Sequence, residues 1–384
     1  MRPQATEGSH STSCYLTRNA VPAGAFRMQL AFSYPLDLPA DEAVHAVPDG
    51  LGVIRIDLER GQPYLGQARN LRRRITRLRG LFGDRVVRIA FQPAGSAFEA
   101  RVVLWRAARE AWPQDYGEKL RLRCPALVKT LQNNRFPRLA VTSRIRGAAL
   151  HYGPFRSRVF AEHFQEGLLD FFQVRRCTEN LDPAPEHPGC VFGEIGKCMR
   201  PCQQAAGDAE YRSEFGRLLL ALESRGESLA GALERQRNAA SEQLNFEAAK
   251  SLHDKALAAR KLFLAQPEAA DLDHWHGLVV QKGALKNSIA LLPVCGGYLQ
   301  PKIELQLQLA EAGSLDQRLR EALENAVFQR GALTELQDSM AIISRWLFSS
   351  WRDGEFLRIE SFETIPYRKL VNAVSRVSQG RRRA

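Results

Sequence analysis

The first residues in this chain whose type and spacing could do chemistry are four cysteines in one short stretch. Cys177, Cys190, Cys198 and Cys202 are separated by twelve, seven and three residues, and Pro183, Pro185, Pro188, Gly189, Gly193, Gly196 and Pro201 fall between them. A segment so rich in proline and glycine cannot run as a long helix or strand, and it buries little apolar surface of its own. Four thiolates around one metal centre would hold it, because their bonds close three loops at once. A tetrahedral zinc ion and a four-iron, four-sulfur cluster both accept four cysteines. The zinc pattern usually shows two close Cys pairs, and only the last pair is close here. The competing expectation is thiols that merely pack or pair as disulfides, but nothing else in the chain argues for an oxidising compartment.

A second group of residues suits phosphate. Between Arg55 and Arg85 there are nine arginines against three acids. The elements that must position them are legible. Residues 52–58 alternate as a strand, Arg60 to Pro63 turn, and Tyr64-Leu65-Gly66 starts a second strand. Asn70 to Leu81 then reads as a helix, with Leu71, Ile75 and Leu78 facing a core and Arg69, Arg72, Arg73 and Arg77 turned away from it. A charge run is usually a solvated helix face. The acids that would balance this one are missing, which favours phosphate contact and names these four arginines as the DNA-binding set.

Length and composition bound the rest. The 384 residues suffice for two or three domains, and 45% hydrophobic with 25% charged residues is ordinary for a globular protein. A formal charge of +12 is not ordinary. It points to a polyanionic partner, nucleic acid first and an anionic membrane surface second. No run approaches eighteen apolar residues and no signal pattern opens the chain, so no membrane association is expected. With Cys14, Cys124 and Cys295 far from the cluster, a reducing cytoplasm is the expected location.

Several of these stretches together carry a resemblance. They are Arg175-Arg176-Cys177; Cys190-x7-Cys198-x3-Cys202 with Gly196-Lys197 and Pro201; Gly52-Val53-Ile54 with the run Tyr64 to Arg74; Phe136 to Thr142; His151 to Phe155; and Ala239 to Asp254. They resemble, in order, the parts of the UvrC/Cho family, whose UvrC is the incision subunit of bacterial nucleotide excision repair. The resemblance implies a GIY-YIG nuclease-like domain, a cysteine region holding a four-iron, four-sulfur cluster in preference to zinc, and a UVR motif that binds UvrB. It covers roughly Leu51 to Gln266, and these 384 residues leave no room for UvrC's second, RNase H-like nuclease domain.

Carried over residue by residue, the nuclease site is degenerate. Tyr64 and Arg74 match a tyrosine and the helix arginine, and remain as catalytic remnants. The first tyrosine falls on Ile54, a lysine on Gln67, the metal-binding glutamate on Leu104 and an asparagine on Tyr116. Glu99 and Glu110 lie about 140° and about 120° around the helix from Leu104, and Ser96-x-x-Glu99 reads as a capping box. Magnesium would be a cofactor only of an active site, and leucine offers it no oxygen. In the UVR-like segment, Leu244, Phe246, Glu247, Ala249 and Leu252 are the expected partner-binding residues.

The expected fold is therefore α+β. It comprises a flexible leader over 1–45, a small GIY-YIG-like α/β domain over 46–125, and a connector with the cysteine-cluster lobe over 126–210. A helical region with the UVR hairpin over 211–268 and a C-terminal strand-and-helix α/β segment with a basic tail over 269–384 complete it. The expected function is a DNA repair protein that binds DNA and UvrB without cutting. An active single-incision endonuclease and an iron–sulfur DNA-binding regulator are the alternatives.

Overall fold

The computed structural model describes residues 32–34, 47–147, 149–307 and 313–380. Strand β2 (Gly52–Leu58) and strand β3 (Tyr64–Ala68) pair antiparallel, and helix α1 (Leu71–Phe82) follows directly. Asn70 caps α1 by accepting a hydrogen bond from the Arg73 amide, which fixes where the helix starts. Leu71, Ile75 and Leu78 pack on Ile54 and Ile56, as the 3.6-residue period requires. Strand β4 (Val86–Pro93) pairs along β2, and β1 (Phe32–Tyr34) pairs along β4. β1 falls within the stretch expected to be a leader. The rest of that leader, and Arg381 to Arg383 of the basic tail, lie outside the described residues. Helix α2 (Ala97–Ala111) covers the opposite face of the sheet, where Val53 and Leu65 share a core with Phe98 and Val102.

The chain then passes through α3 (Tyr116–Lys119) into a second antiparallel sheet. Its strands β5 (Ala126–Leu131), β6 (Arg138–Thr142), β7 (His151–Phe155) and β8 (Ala270–Asp271) lie in the order β6-β5-β7-β8. β8 is supplied from more than a hundred residues downstream, so the cysteine and hairpin segments are an excursion between two strands of one sheet. Helix α4 (Arg158–Leu169) leads to the cysteine loop, which contains the single turn α5 (Val191–Glu194) and a 3-10 turn at Pro201–Gln203 and ends at α6 (Asp208–Glu223). Helices α7 (Glu227–Glu242) and α8 (Phe246–Leu264) form the hairpin. Its base is fixed by aromatics: Tyr152 stacks on Phe164 at 5.3 Å, and Phe263 of α8 meets both edge-on. Tyr152 and Phe155 are each 1% exposed, so they dock elements together and offer no surface for stacking bases.

The third lobe is a sheet of β9 (His276–Lys282), β10 (Ser288–Cys295), β11 (Tyr298–Leu299), β12 (Ile303–Gln306) and β13 (Glu355–Ile359). Helices α9 (Leu315–Glu324), α10 (Leu333–Leu347) and α11 (Tyr367–Ser378) accompany it. Gly296 and Gly297 form the turn between β10 and β11, both at positive φ. β13 and α11 lie beyond the strands and helices that the sequence pattern signals. β13 pairs with β9, and α11 buries Leu370, Ala373, Val374 and Val377 against Leu278, Val280, Ile289 and Leu291.

Candidate functional site

The hairpin of the first lobe brings two expected residues together. Arg74 Nη2 of α1 donates to Tyr64 Oη of β3 at 2.8 Å, with the guanidinium 5.9 Å from the tyrosine ring centroid. The Arg74 Nε is buried with no hydrogen-bond partner. Gly66 is required here, because a Cβ at that position would collide with the Tyr64 hydroxyl. Gly52 is required likewise, since a Cβ would run into Leu71 and the Gln92 carbonyl. Ile54 shares this face but is 1% exposed and part of the packing under α1. Gln67 is exposed, and its amide donates to the Ala97 carbonyl at 3.2 Å.

Leu104 sits elsewhere. It belongs to the core on the α2 side of the sheet and is 6% exposed, whereas Tyr64, Arg74 and Ile54 belong to the α1 side. The rest of α2 is tied to the third lobe. Trp105 Nε1 donates to Asp338 Oδ2 at 3.1 Å and the Tyr116 hydroxyl donates to the same oxygen at 2.6 Å. Burial first, then the bond to Asp338, pushes the Tyr116 phenol up to about 12. Arg106 donates to the Gln300 carbonyl at 2.8 Å, and the Phe98 ring lies 4.8 Å from that of Trp346. Glu99 is 1% exposed. Its amide donates to Ser96 Oγ, its Oε2 accepts from the Gly95 amide at 2.8 Å, and its Oε1 is ion-paired with Lys302 at 2.7 Å. Glu110 lies 3.9 Å from Arg55. Both acids near Leu104 in sequence thus have cationic partners. Sequence reasoning missed Lys302, Asp338 and Trp346 because nothing local signals that α2 will be covered from two hundred residues away.

Of the four arginines assigned to DNA, Arg69, Arg73 and Arg77 are exposed. Arg72 is engaged: it binds Asp49 at 2.7 Å and donates to the Val47 carbonyl at 2.9 Å. That tie, with the Asn70 side-chain amide donating to Asp49 at 3.0 Å and the Leu71 backbone amide to the Gly50 carbonyl at 2.9 Å, fixes the start of α1 to the preceding chain. No acid occupies the first turn of α1.

The four cysteines lie in one loop region as free thiols, Cys198 and Cys202 buried, Cys177 half-buried and Cys190 exposed. The loop is pinned by specific bonds. The Met199 amide donates to the Gln173 carbonyl and the Ala184 amide to the Cys202 carbonyl, each at 3.0 Å. Arg176 and Lys197 both bind Asp170 Oδ1. Arg175 Nη1 lies 3.8 Å from Cys177 Sγ. Burial pushes the Cys198 thiol up to about 11, and the charges of the other three sulfurs push it the same way. Four thiols in one loop region are right in kind for a thiolate centre. Among the described residues, no three His, Cys, Asp or Glu side chains are gathered into a metal's ligand shell.

At the far end of the hairpin, Leu244 is 72% and Phe246 66% exposed. Leu244 takes a positive φ of 58° in the turn, and Asn245 caps α8 by accepting from the Ala248 amide at 3.1 Å. Glu247 is exposed, while Ala249 and Leu252 are half-buried. The apolar residues expected to meet a partner are therefore split between an open tip and the flank of the hairpin. No described helix is long and apolar enough to cross a membrane.

Comparison with known proteins follows the same outline. Residues 124–220, from the edge of the second sheet through the cysteine loop into α6, match the family model described as the UvrC/Cho excinuclease, middle domain. The chain is similar to UvrABC system protein C of Carboxydothermus hydrogenoformans, 28% identical over 59% of this chain and 39% of that protein. It is similar to the protein of the same name from Desulforudis audaxviator, 28% identical over 70% of this chain and 45% of the relative. The Streptomyces avermitilis protein matches at 23% identity over 87% of this chain and 52% of its own length. The chain thus spans about half or less of the length of these relatives. No solved structure matches it.

Proposed function

Since the chain belongs to the UvrC/Cho family, we propose that it acts in nucleotide excision repair as a protein that binds DNA and a UvrB-like partner and leaves the strand uncut. The observation that carries this is the contrast at the nuclease-like site. The Tyr64–Arg74 pair is kept at 2.8 Å, while the position of the family's metal-binding glutamate is a leucine sealed in the core. Magnesium takes oxygen ligands, and the residues around Leu104 do not fit it, because Glu99 and Glu110 already have cationic partners. Without that ion no Lewis acid offsets the charge that builds on the leaving oxygen. A tyrosine hydroxyl and a guanidinium remain, which can hold a phosphate by hydrogen bonds and charge.

The hairpin supplies the partner contact. Its tip exposes an aromatic ring and a leucine that the fold has no use for, and such residues become anchors when a second surface covers them. A four-cysteine iron–sulfur centre completes the proposal. Cys177, Cys190, Cys198 and Cys202 would hold it, and its contribution would be to close the proline- and glycine-rich loop that has almost no regular structure of its own. As thiolate ligands the four cysteines would give up their protons to hold it. Metal analysis of anaerobically prepared protein tests this part, with about four irons per chain expected. One zinc and no iron would reassign the centre, and no metal at all would remove it.

The proposal as a whole is tested by titrating the protein, with and without DNA, against a UvrB-like partner in a calorimeter. Binding that the Phe246→Ala exchange abolishes is expected. No heat from the unchanged protein would leave the hairpin an internal strut.

A further inference from the structure

A cleft of about 780 Å³ opens where the three lobes meet, and it is lined by six arginines. Arg101 comes from α2, Arg121 and Arg123 from the segment between α3 and β5, Arg156 and Arg158 from the start of α4, and Arg345 from the end of α10. Among the described residues no aspartate or glutamate lines it. Arg158 has a carboxylate partner, Glu162 at 2.7 Å along α4. The other five form no ion pair with a described residue, and Arg101 spends one N–H on the Leu120 carbonyl. Burial and then the charge of Arg345 hold the Arg101 guanidinium below its ordinary value. Arg101 and Arg345 are thus like charges close enough to act on each other. The N-terminal end of α4, capped by Ser157, opens into the same space and adds the positive end of its dipole.

Unbalanced cations are costly to bring together, and a fold that assembles five from four separate segments gains only when an anion joins them. We propose that this cleft binds the sugar–phosphate backbone of DNA, as a second contact distinct from the arginines of α1. The inference rests on the reading of the protein as DNA-binding and adds a path for the strand. A polynucleotide suits the cleft better than a small phosphorylated molecule. Arg121, Arg123, Arg156, Arg158 and Arg345 are all exposed, so the donors stand along an open channel. A small-ligand site is typically an enclosed, mostly apolar pocket with a few placed polar groups. The strand would pass beside α2 and over the seam that joins it to the third lobe, so the sealed position of Leu104 would lie near bound DNA without touching a metal.

The test uses the full chain with Arg121, Arg123 and Arg156 changed together to Gln. All three are exposed and form no ion pair with a described residue, and an unchanged melting temperature confirms that folding is intact. Affinity for labelled duplex and single-stranded DNA is measured across a salt series, beside a second variant with Arg69, Arg73 and Arg77 changed to Gln. The cleft variant should lose about tenfold or more in affinity at low salt, and its salt slope should flatten by about one unit for each phosphate it no longer neutralises. The α1 variant should lose its own share independently, and the form of DNA that suffers more from the cleft variant identifies the strand it holds. A cleft variant that binds both DNAs like the unchanged protein, while the α1 variant weakens, overturns the cleft and leaves DNA binding standing. Loss of affinity for inorganic pyrophosphate without loss for DNA overturns it in favour of a small phosphorylated ligand. If the unchanged protein binds neither DNA, the DNA-binding reading fails and this inference with it.

Discussion

Helix α2 and the α7–α8 hairpin carry apolar residues at the positions to which the family resemblance assigns metal binding and partner binding, and the structure treats them in opposite ways. On α2, Leu104 is 6% exposed, and the helix around it is fastened to the third lobe through Asp338, Lys302 and Trp346. At the hairpin tip, Leu244 and Phe246 stand in solvent on a turn stiffened by an Asn cap. Leu104, where the resemblance would put a metal-binding acid, has been absorbed into the fold. An exposed phenylalanine on a rigid tip has not, and it costs solubility unless something covers it. On the function proposed above, the difference teaches that loss of chemistry and retention of binding would both register in one quantity, the burial of an apolar side chain at a functional position.

The most forceful way to break the comparison is to put the acid back. Leu104→Glu should cost ~3–5 kcal/mol of folding stability, because it places an unpaired charge in a packed core. Denaturant unfolding measures it. A cost below ~1 kcal/mol would mean the position has access to water or to a cation, and the sealed helix would be wrong. Next in size is Lys302→Met, which keeps the side chain's length and strips the 1%-exposed Glu99 of its cation. About 3 kcal/mol should be lost. Lys302→Met combined with Glu99→Gln should recover part of it, because Glu304, which Lys302 also binds at 2.7 Å, still loses its cation.

The hairpin tip should respond in the opposite sense. Phe246→Ala should change folding stability by less than ~0.5 kcal/mol and weaken partner binding by ~2–4 kcal/mol. A large stability loss would show that the ring packs within the chain. The smallest effect concerns the seam itself. Burial raises the Asp338 carboxyl above its ordinary value, against the pull of the Tyr116 and Trp105 hydrogen bonds. A carboxyl raised in the folded state adds stability that is fully present below its unfolded pKa and is lost as pH rises through the folded one. Stability should therefore decline slightly as pH climbs from about 4. Asp338→Asn should remove that decline while keeping an oxygen to accept both bonds.

How far the sequence carried these conclusions depends on how local the signal was. The β2–β3 hairpin, α1 and the Ser96–Glu99 cap were legible because each is decided within a dozen residues by alternation, periodicity or a side chain bonding a nearby amide. Tyr64 and Arg74 were named by the family resemblance alone, and their hydrogen bond emerged only with the structure. β8 was hidden because it is two residues long and is defined only by pairing with β7. The cover over α2, the Arg72–Asp49 tie and the arginine cleft were hidden for the same reason. Each is made by residues that meet through tertiary packing, and an arginine whose acid sits in another element looks the same in sequence as one that has none.

The central claim, that this protein holds DNA without cutting it, is tested most directly by incision. The pure protein is incubated with a damaged duplex, a UvrB-like partner and magnesium or manganese, and nicked strands are resolved on a denaturing gel. The account predicts no metal-dependent incision above background, with DNA still retained by the complex. Metal-dependent nicking that Tyr64→Phe or Arg74→Ala abolishes would contradict it and make the chain an endonuclease.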